Sequence, residues 1–165
     1  MLSRLELSAP PLTGVRNDVV NDTGRTGFCG PYVISAITGF PLSRVEAEIS
    51  RVRPEAAKAG VVRGTTAEDV RSTLGTFGYE MALIADFSPL PRKERPSVWT
   101  WMQKPRNVWT HYLLAISKGK EGHWILIKGV KLCDTFSQGK WQFVCDGPHK
   151  GARISEIYEV RRSNP

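Results

Sequence analysis

The stretch that decides the fold is Gly122-His123-Trp124-Ile125-Leu126-Ile127-Lys128-Gly129-Val130-Lys131-Leu132-Cys133-Asp134-Thr135. Two apolar runs, His123–Lys128 and Lys131–Phe136, flank a Gly129-Val130 break and read as strands joined by a tight turn. Folding the chain at that break sets Asp134 a couple of ladder positions from His123. Further short β-type runs lie on both sides: Met81–Ala85, His111–Ser117, Trp141–Cys145 and, less regular, Ile154–Val160. The connections Gly119-Lys120-Glu121-Gly122 and Ser137-Gln138-Gly139-Lys140 have hairpin length and composition.

Upstream of Gly78 the apolar spacing becomes helical. Cys29, Val33, Ala36 and Ile37 fall on one face of a helix. Pro31 suits its first turn, where a backbone N–H has no intrahelical partner, and Gly39 supplies a left-handed stop. A second helix is expected from the capping box Ser43-x-x-Glu46, with Val45, Ile49 and Val52 inward, and a third from Thr65-x-x-Glu68, with Val70 and Leu74. Residues 1–25 are polar and turn-rich, an extended arm over the surface. Asp86–Asn107, with Pro89, Pro91, Pro96 and Pro105, reads as a long basic loop with room for one helical turn. Helices first and an antiparallel sheet second give an α+β layout in a single domain over 1–165.

Composition narrows the function classes. The chain has 165 residues, 41% hydrophobic and 24% charged, enough for one core without disulfides or a structural metal. No run approaches the length of a membrane span. The N-terminal residues lack a secretory pattern, so a reducing cytoplasm is the expected compartment. Lys and Arg number 23 against 16 Asp and Glu, a net +7 that favours anionic partners. The three cysteines are an odd number, so at least one thiol is free or pairs between chains.

Cys29 stands at the start of its helix within Gly27-Phe28-Cys29-Gly30-Pro31-Tyr32. Unpaired N–H groups and the helix dipole favour a thiolate there, and the thiolate is the nucleophile. Such a cysteine needs a base and an orienting partner. Of the three histidines, His111 and His123 sit at opposite ends of one hairpin, roughly 20 Å apart, so one at most can serve Cys29. His123 has Asp134 beside it. Asp146, which follows Cys145 as Asp134 follows Cys133, competes for the orienting role. His149, after Gly147-Pro148, reads as a surface turn residue. Cys133 and Cys145 could face each other across the last hairpin as reduced core thiols. A zinc site from Cys133, Cys145 and His149 has no C-x-x-C pair. The glycines near Cys29 match neither dinucleotide nor phosphate-loop spacing, so no cofactor and no metal is called for.

These residues resemble the papain-like cysteine peptidase superfamily, and more closely its small phage and bacterial domains. The likeness is carried in order by Cys29, Ala36-Ile37-Thr38-Gly39, Gly64-Thr65-Thr66, Gly122-His123, Gly129 and Asp134-Thr135, over about residues 27–135. It implies a papain-like fold and a thiolate–imidazolium pair of Cys29 and His123 oriented by Asp134. It also implies a hydrolase or acyl transferase acting on a peptide, isopeptide or related amide bond of a protein or peptide substrate. The family's oxyanion glutamine is replaced by Thr23, so Asn21 is the side-chain candidate for that role. Trp99 and Trp101 are candidates for gripping an extended substrate. The other reading rests on Arg92, Lys93, Arg95, Lys104 and Arg106 around those tryptophans: a basic groove with aromatics could bind single-stranded nucleic acid. A catalytically inactive virion or host-interaction part on the same fold is the remaining alternative.

Overall fold

The computed structural model describes residues 18–58, 61–118 and 121–164. Among the described residues, four α-helices and a six-stranded antiparallel sheet give an α+β protein. The chain runs through α1 (Cys29–Thr38), α2 (Leu42–Val52), a small ribbon of β1 (Ala57–Lys58) and β2 (Val61–Val62), and α3 (Ala67–Thr76). It continues through β3 (Tyr79–Asp86), α4 (Val98–Met102), β4 (His111–Lys118), β5 (Glu121–Lys128), β6 (Lys131–Cys133), β7 (Gln142–Phe143) and β8 (Arg153–Arg162). The sheet order is β3-β8-β4-β5-β6-β7, every neighbouring pair antiparallel.

Both sheet faces are covered, which is why β4 and β5 are almost continuously apolar rather than alternating. One face carries Leu113, Trp124, Leu126, Tyr158 and Val160 against Val33, Ile34 and Ile37 of α1, Val45 and Ile49 of α2, and Val70 and Leu74 of α3. The other carries Tyr112, Leu114, Ile116, Ile125, Ile127 and Ile157 against Val98 and Trp101 of α4. Side chains at successive positions of one strand serve opposite cores, as the two-residue period requires. The Gly129-Val130 turn pairs Lys128 with Lys131 and Leu126 with Cys133. β6 ends there, and among the described residues no strand continues beyond it against the His123 end of β5.

α1 begins at Cys29 and ends at Gly39, which takes φ 77° and returns its N–H to Ser35 O. The other helix starts differ from their sequence signatures. α2 begins at Leu42 after Pro41, with no side-chain cap. Neither Ser43 nor Glu46 caps it: exposed Ser43 bonds Asp22, and buried Glu46 pairs with Arg25. The capping box of α3 is Thr66 with Asp69, one residue later than expected. Thr65 is used elsewhere. A Cβ on Gly30 would lie 2.0 Å from Thr65 Oγ1 and 2.7 Å from its Cγ2, and Trp124 Nε1 donates to Thr65 O at 3.1 Å. Thr65 is thus wedged between the head of α1 and β5. A Gly30→Ala variant should therefore lose about 1–3 kcal/mol, the usual cost of overpacking, read as a lower urea midpoint with unchanged slope.

The last hairpin departs from expectation. Trp141–Cys145 is not one strand: β7 covers two residues and Val144–Asp146 forms a 3-10 turn. Cys133 is buried and Cys145 exposed, and both are free thiols; the expected core pair does not form. β7 sets Phe143 opposite Lys131 and Gln142 opposite Leu132, which carries Cys145 past the ladder. The 86–107 segment is ordered by the short helix α4, capped by Ser97. Of the expected arm, residues 1–17 lie outside the described residues. Its described end is tied down by Val19 N–H to Gly139 O and Leu42 N–H to Val20 O. The Gly119-Lys120 part of the expected hairpin also lies outside the described residues.

Candidate active site

The site forms where α1 meets the open edge of β5. Because β6 stops opposite Leu126, the backbone N–H of Trp124 has no strand beside it and donates to the Cys29 thiol. The Gly30 N–H, free in the first turn of α1, does the same. The His123 side chain completes the surroundings of the sulfur by hydrogen bonding to it. Burial opposes ionisation of Cys29, yet these donors and the His123 charge outweigh it, and the thiol is more acidic than usual.

His123 is held from its other side. Its Nε2 lies 2.8 Å from Oδ2 of Asp134, a residue with no solvent exposure. An ionised carboxylate can only accept, so this Nε2 carries hydrogen, and Nδ1 is the nitrogen left for the thiol. Burial would lower the basicity of His123, but the Asp134 and Cys29 contacts raise its pKa to about 9. Asp134 itself is pushed up by burial but held well below the usual carboxylate range by donors from His123, His149 and the Ser137 N–H.

His149 corrects its sequence reading as a surface turn residue. It is 2% exposed, and its Nε2 lies 2.8 Å from the same Asp134 Oδ2. The two imidazole centroids are 5.1 Å apart. Phe136, half-exposed, stands edge-on to both rings at 5.2 and 5.0 Å. No local pattern around Gly147-Pro148 signals this burial, because it comes from the long return of the chain after β7.

The other candidates are placed elsewhere. Asn21 spends both amide hydrogens, on Arg25 O at 2.9 Å and on the Tyr32 hydroxyl at 3.2 Å, so it has none left for an oxyanion. Trp101 is 8% exposed and belongs to the core on the α4 face, where it cannot grip a substrate at Cys29. Trp99 is exposed but lines a separate cavity of about 440 Å³ with Ser97, Cys145, Lys150 and Gly151. Asp146 accepts from the Cys145 thiol rather than from His123, and His111 lies at the far end of β4, opposite Lys128. In the basic segment, Arg95 donates to Leu90 O and Ser88 O, and Arg106 to Met102 O and Gly129 O. Those guanidiniums hold loops. A cleft of about 500 Å³ lies between the 21–26 loop and the turn after Asp134, lined by Asn21, Arg25, Thr26, Tyr32, Thr135 and Gln138.

Among the described residues, His123, Asp134 and His149 form a group with metal-ligand chemistry, their polar atoms within 4.8 Å of one another. The two 2.8 Å hydrogen bonds account for all three atoms, and a zinc ion would have to break both to reach its bonds of about 2.0–2.1 Å to nitrogen. The zinc set of Cys133, Cys145 and His149 does not assemble, since Cys145 is exposed and His149 is engaged by Asp134. No helix among the described residues is long and apolar enough to cross a membrane. No protein-family model and no curated protein sequence matches the chain.

Proposed function

We propose that the protein is a cysteine-dependent hydrolase or acyl transferase of papain-like type, acting on a peptide, isopeptide or related amide bond. The observation that carries this reading is the relay from Cys29 to His123 to the fully buried Asp134, with the thiol at a helix start and made acidic by its surroundings. Nucleophile, base and orienting carboxylate are what amide cleavage by a thiol requires. The order of these groups along the chain, helix then sheet, is that of the papain-like peptidases.

In this reading the Cys29 sulfur attacks the carbonyl carbon of the substrate. The C–N bond breaks as His123 gives its proton to the departing amine, leaving a thioester on Cys29. Water, or an acceptor amine in a transferase, then attacks the thioester while His123 takes up its proton, and the thiolate leaves. The Cys29 backbone N–H, at the first position of α1, is the donor proposed for the oxyanion.

Alkylation with iodoacetamide at pH 7, mapped by peptide mass, tests the reading. Cys29 should react at least tenfold faster than exposed Cys145, and Cys133, whose pKa burial pushes up to about 12, should hardly react. Cys29 reacting no faster than Cys145 would remove the activated nucleophile and the proposed function with it.

A further inference from the structure

We propose that His149 is a positioning residue of this site, acting through Asp134 to hold the His123 imidazole in the tautomer and orientation that ionise Cys29. The inference rests on the reading of Cys29 as the nucleophile and adds a fourth member to the relay.

The hydrogen-bond inventory of Asp134 is the argument. Its Oδ2 receives two imidazole nitrogens, each at 2.8 Å, and its Oδ1 receives the Ser137 N–H at 2.9 Å. With the carboxylate ionised, both Nε2 atoms must be donors. Rotation of the carboxylate about its Cβ–Cγ bond would break all three contacts, so its plane is fixed. Without His149, the Ser137 N–H would still hold Oδ1, but Oδ2 would be placed by the mobile His123 ring alone. With His149 the shared oxygen has a single position, and His123 presents Nδ1 to the sulfur.

The placement of His149 is itself secured. Its carbonyl accepts from Ala152 N–H at 2.9 Å, and the following Lys150 and Ala152 carbonyls accept from the first turn of α4, Trp99 N–H at 2.8 Å and Val98 N–H at 3.0 Å. Phe136 packs perpendicular to both imidazoles and limits their movement toward solvent. A buried histidine kept only for packing has no need to share the one oxygen that orients the base.

The donor is Nε2, which sets the test. Glutamine carries its amide nitrogen at about that distance from Cα, asparagine does not reach, and leucine fills space without donating. His149→Leu and His149→Asn should each lower the Cys29 alkylation rate at pH 7 by roughly tenfold, the scale of a misplaced catalytic group, and shift its rate–pH curve upward. His149→Gln should recover most of the native rate and curve. Folding is checked in parallel by circular dichroism and urea midpoint. If the leucine variant does not fold, the glutamine–asparagine pair decides. Equal rate–pH curves for folded His149→Asn and the native protein, or equal losses in His149→Gln and His149→Asn, overturn the role of the Nε2 donor while native Cys29 remains fast. A slow Cys29 in the native protein overturns the proposed function itself, and this inference with it.

Discussion

Replacing His123 with alanine should slow alkylation of Cys29 at pH 7 by tenfold or more, and should abolish amide turnover to within the background left by binding alone. In the native site the thiol is acidic because His123 supplies both a hydrogen bond and a positive charge against a burial that works the other way. Without His123 the burial remains, and an ordinary thiol of pKa ~8.5 is only a few per cent ionised at pH 7. The higher nucleophilicity of a more basic thiolate recovers part of the rate, which is why the expected loss in alkylation is modest. Turnover loses more, on the order of 10⁴-fold, because the same imidazole must also protonate the leaving amine. Unchanged alkylation in His123→Ala would show that the helix start and the Trp124 N–H acidify the thiol by themselves.

The same pair has a signature in stability against pH. Above the ordinary histidine value of ~6.5 the folded chain keeps the His123 proton that the unfolded chain has given up. Between the ordinary histidine value of ~6.5 and the ordinary thiol value of ~8.5 the raised histidine lowers stability as pH rises, and the acidified Cys29 thiol works in the opposite direction. Above that window the unfolded chain holds neither proton, whereas folded His123 keeps its own up to about 9. The folding stability tied to the raised histidine should fall as pH rises through about 8.5 to 9, and His123→Ala should lack that decline. Urea midpoints taken across this range measure it.

How much of this was legible in the sequence depends on the distance over which each feature is decided. α1 was legible because its start, face and stop are local: Cys29, the Val33–Ile37 stripe and Gly39. The pairing of β5 with β6 was legible because Gly129, with φ 62°, permits the tight turn and fixes the register that sets Asp134 near His123. The α3 cap was misplaced by one residue because Thr65 and Thr66 look equivalent in sequence, and only the packing of Thr65 on Gly30 separates them. The α2 box failed because Ser43 and Glu46 found partners, Asp22 and Arg25, in a segment some twenty residues earlier. Trp101 looked like a surface aromatic in a basic loop, but α4 turns it into the second core, where Arg106 sits 5.5 Å over its ring. His149 was the least legible of all: its burial depends on the chain leaving the sheet after β7 and returning beneath Phe136, and no residue nearby records that path.

Changing Asp134 to asparagine should damage the site more than an isosteric exchange suggests, because both carboxylate oxygens are used as acceptors. An amide has one acceptor oxygen. If that oxygen faces the two histidines, the amide NH₂ is driven against the Ser137 N–H. If it faces Ser137, the NH₂ confronts two imidazole donors, and His123 must move its hydrogen to Nδ1, where it can no longer accept the thiol proton. Either arrangement leaves a buried donor unpaired, at a cost of about 1–3 kcal/mol, and Asp134→Ala should cost about 3–5 kcal/mol by stranding the buried charge on His123. The lost negative charge also lets the His123 pKa fall from about 9 toward its usual value. The alkaline limit of turnover, set by loss of the His123 proton, should therefore move down by a unit or more in Asp134→Asn. At the acid end the sign reverses. The depressed native Asp134 contributes stability that is complete above the ordinary aspartate value of ~3.9 and is lost as pH falls below it. The native protein should lose urea resistance on acidification from about pH 4 to about pH 2, and Asp134→Asn should lose less over the same interval. Parallel acid limbs in the two proteins would mean that the carboxylate is not the charge that holds these histidines in place.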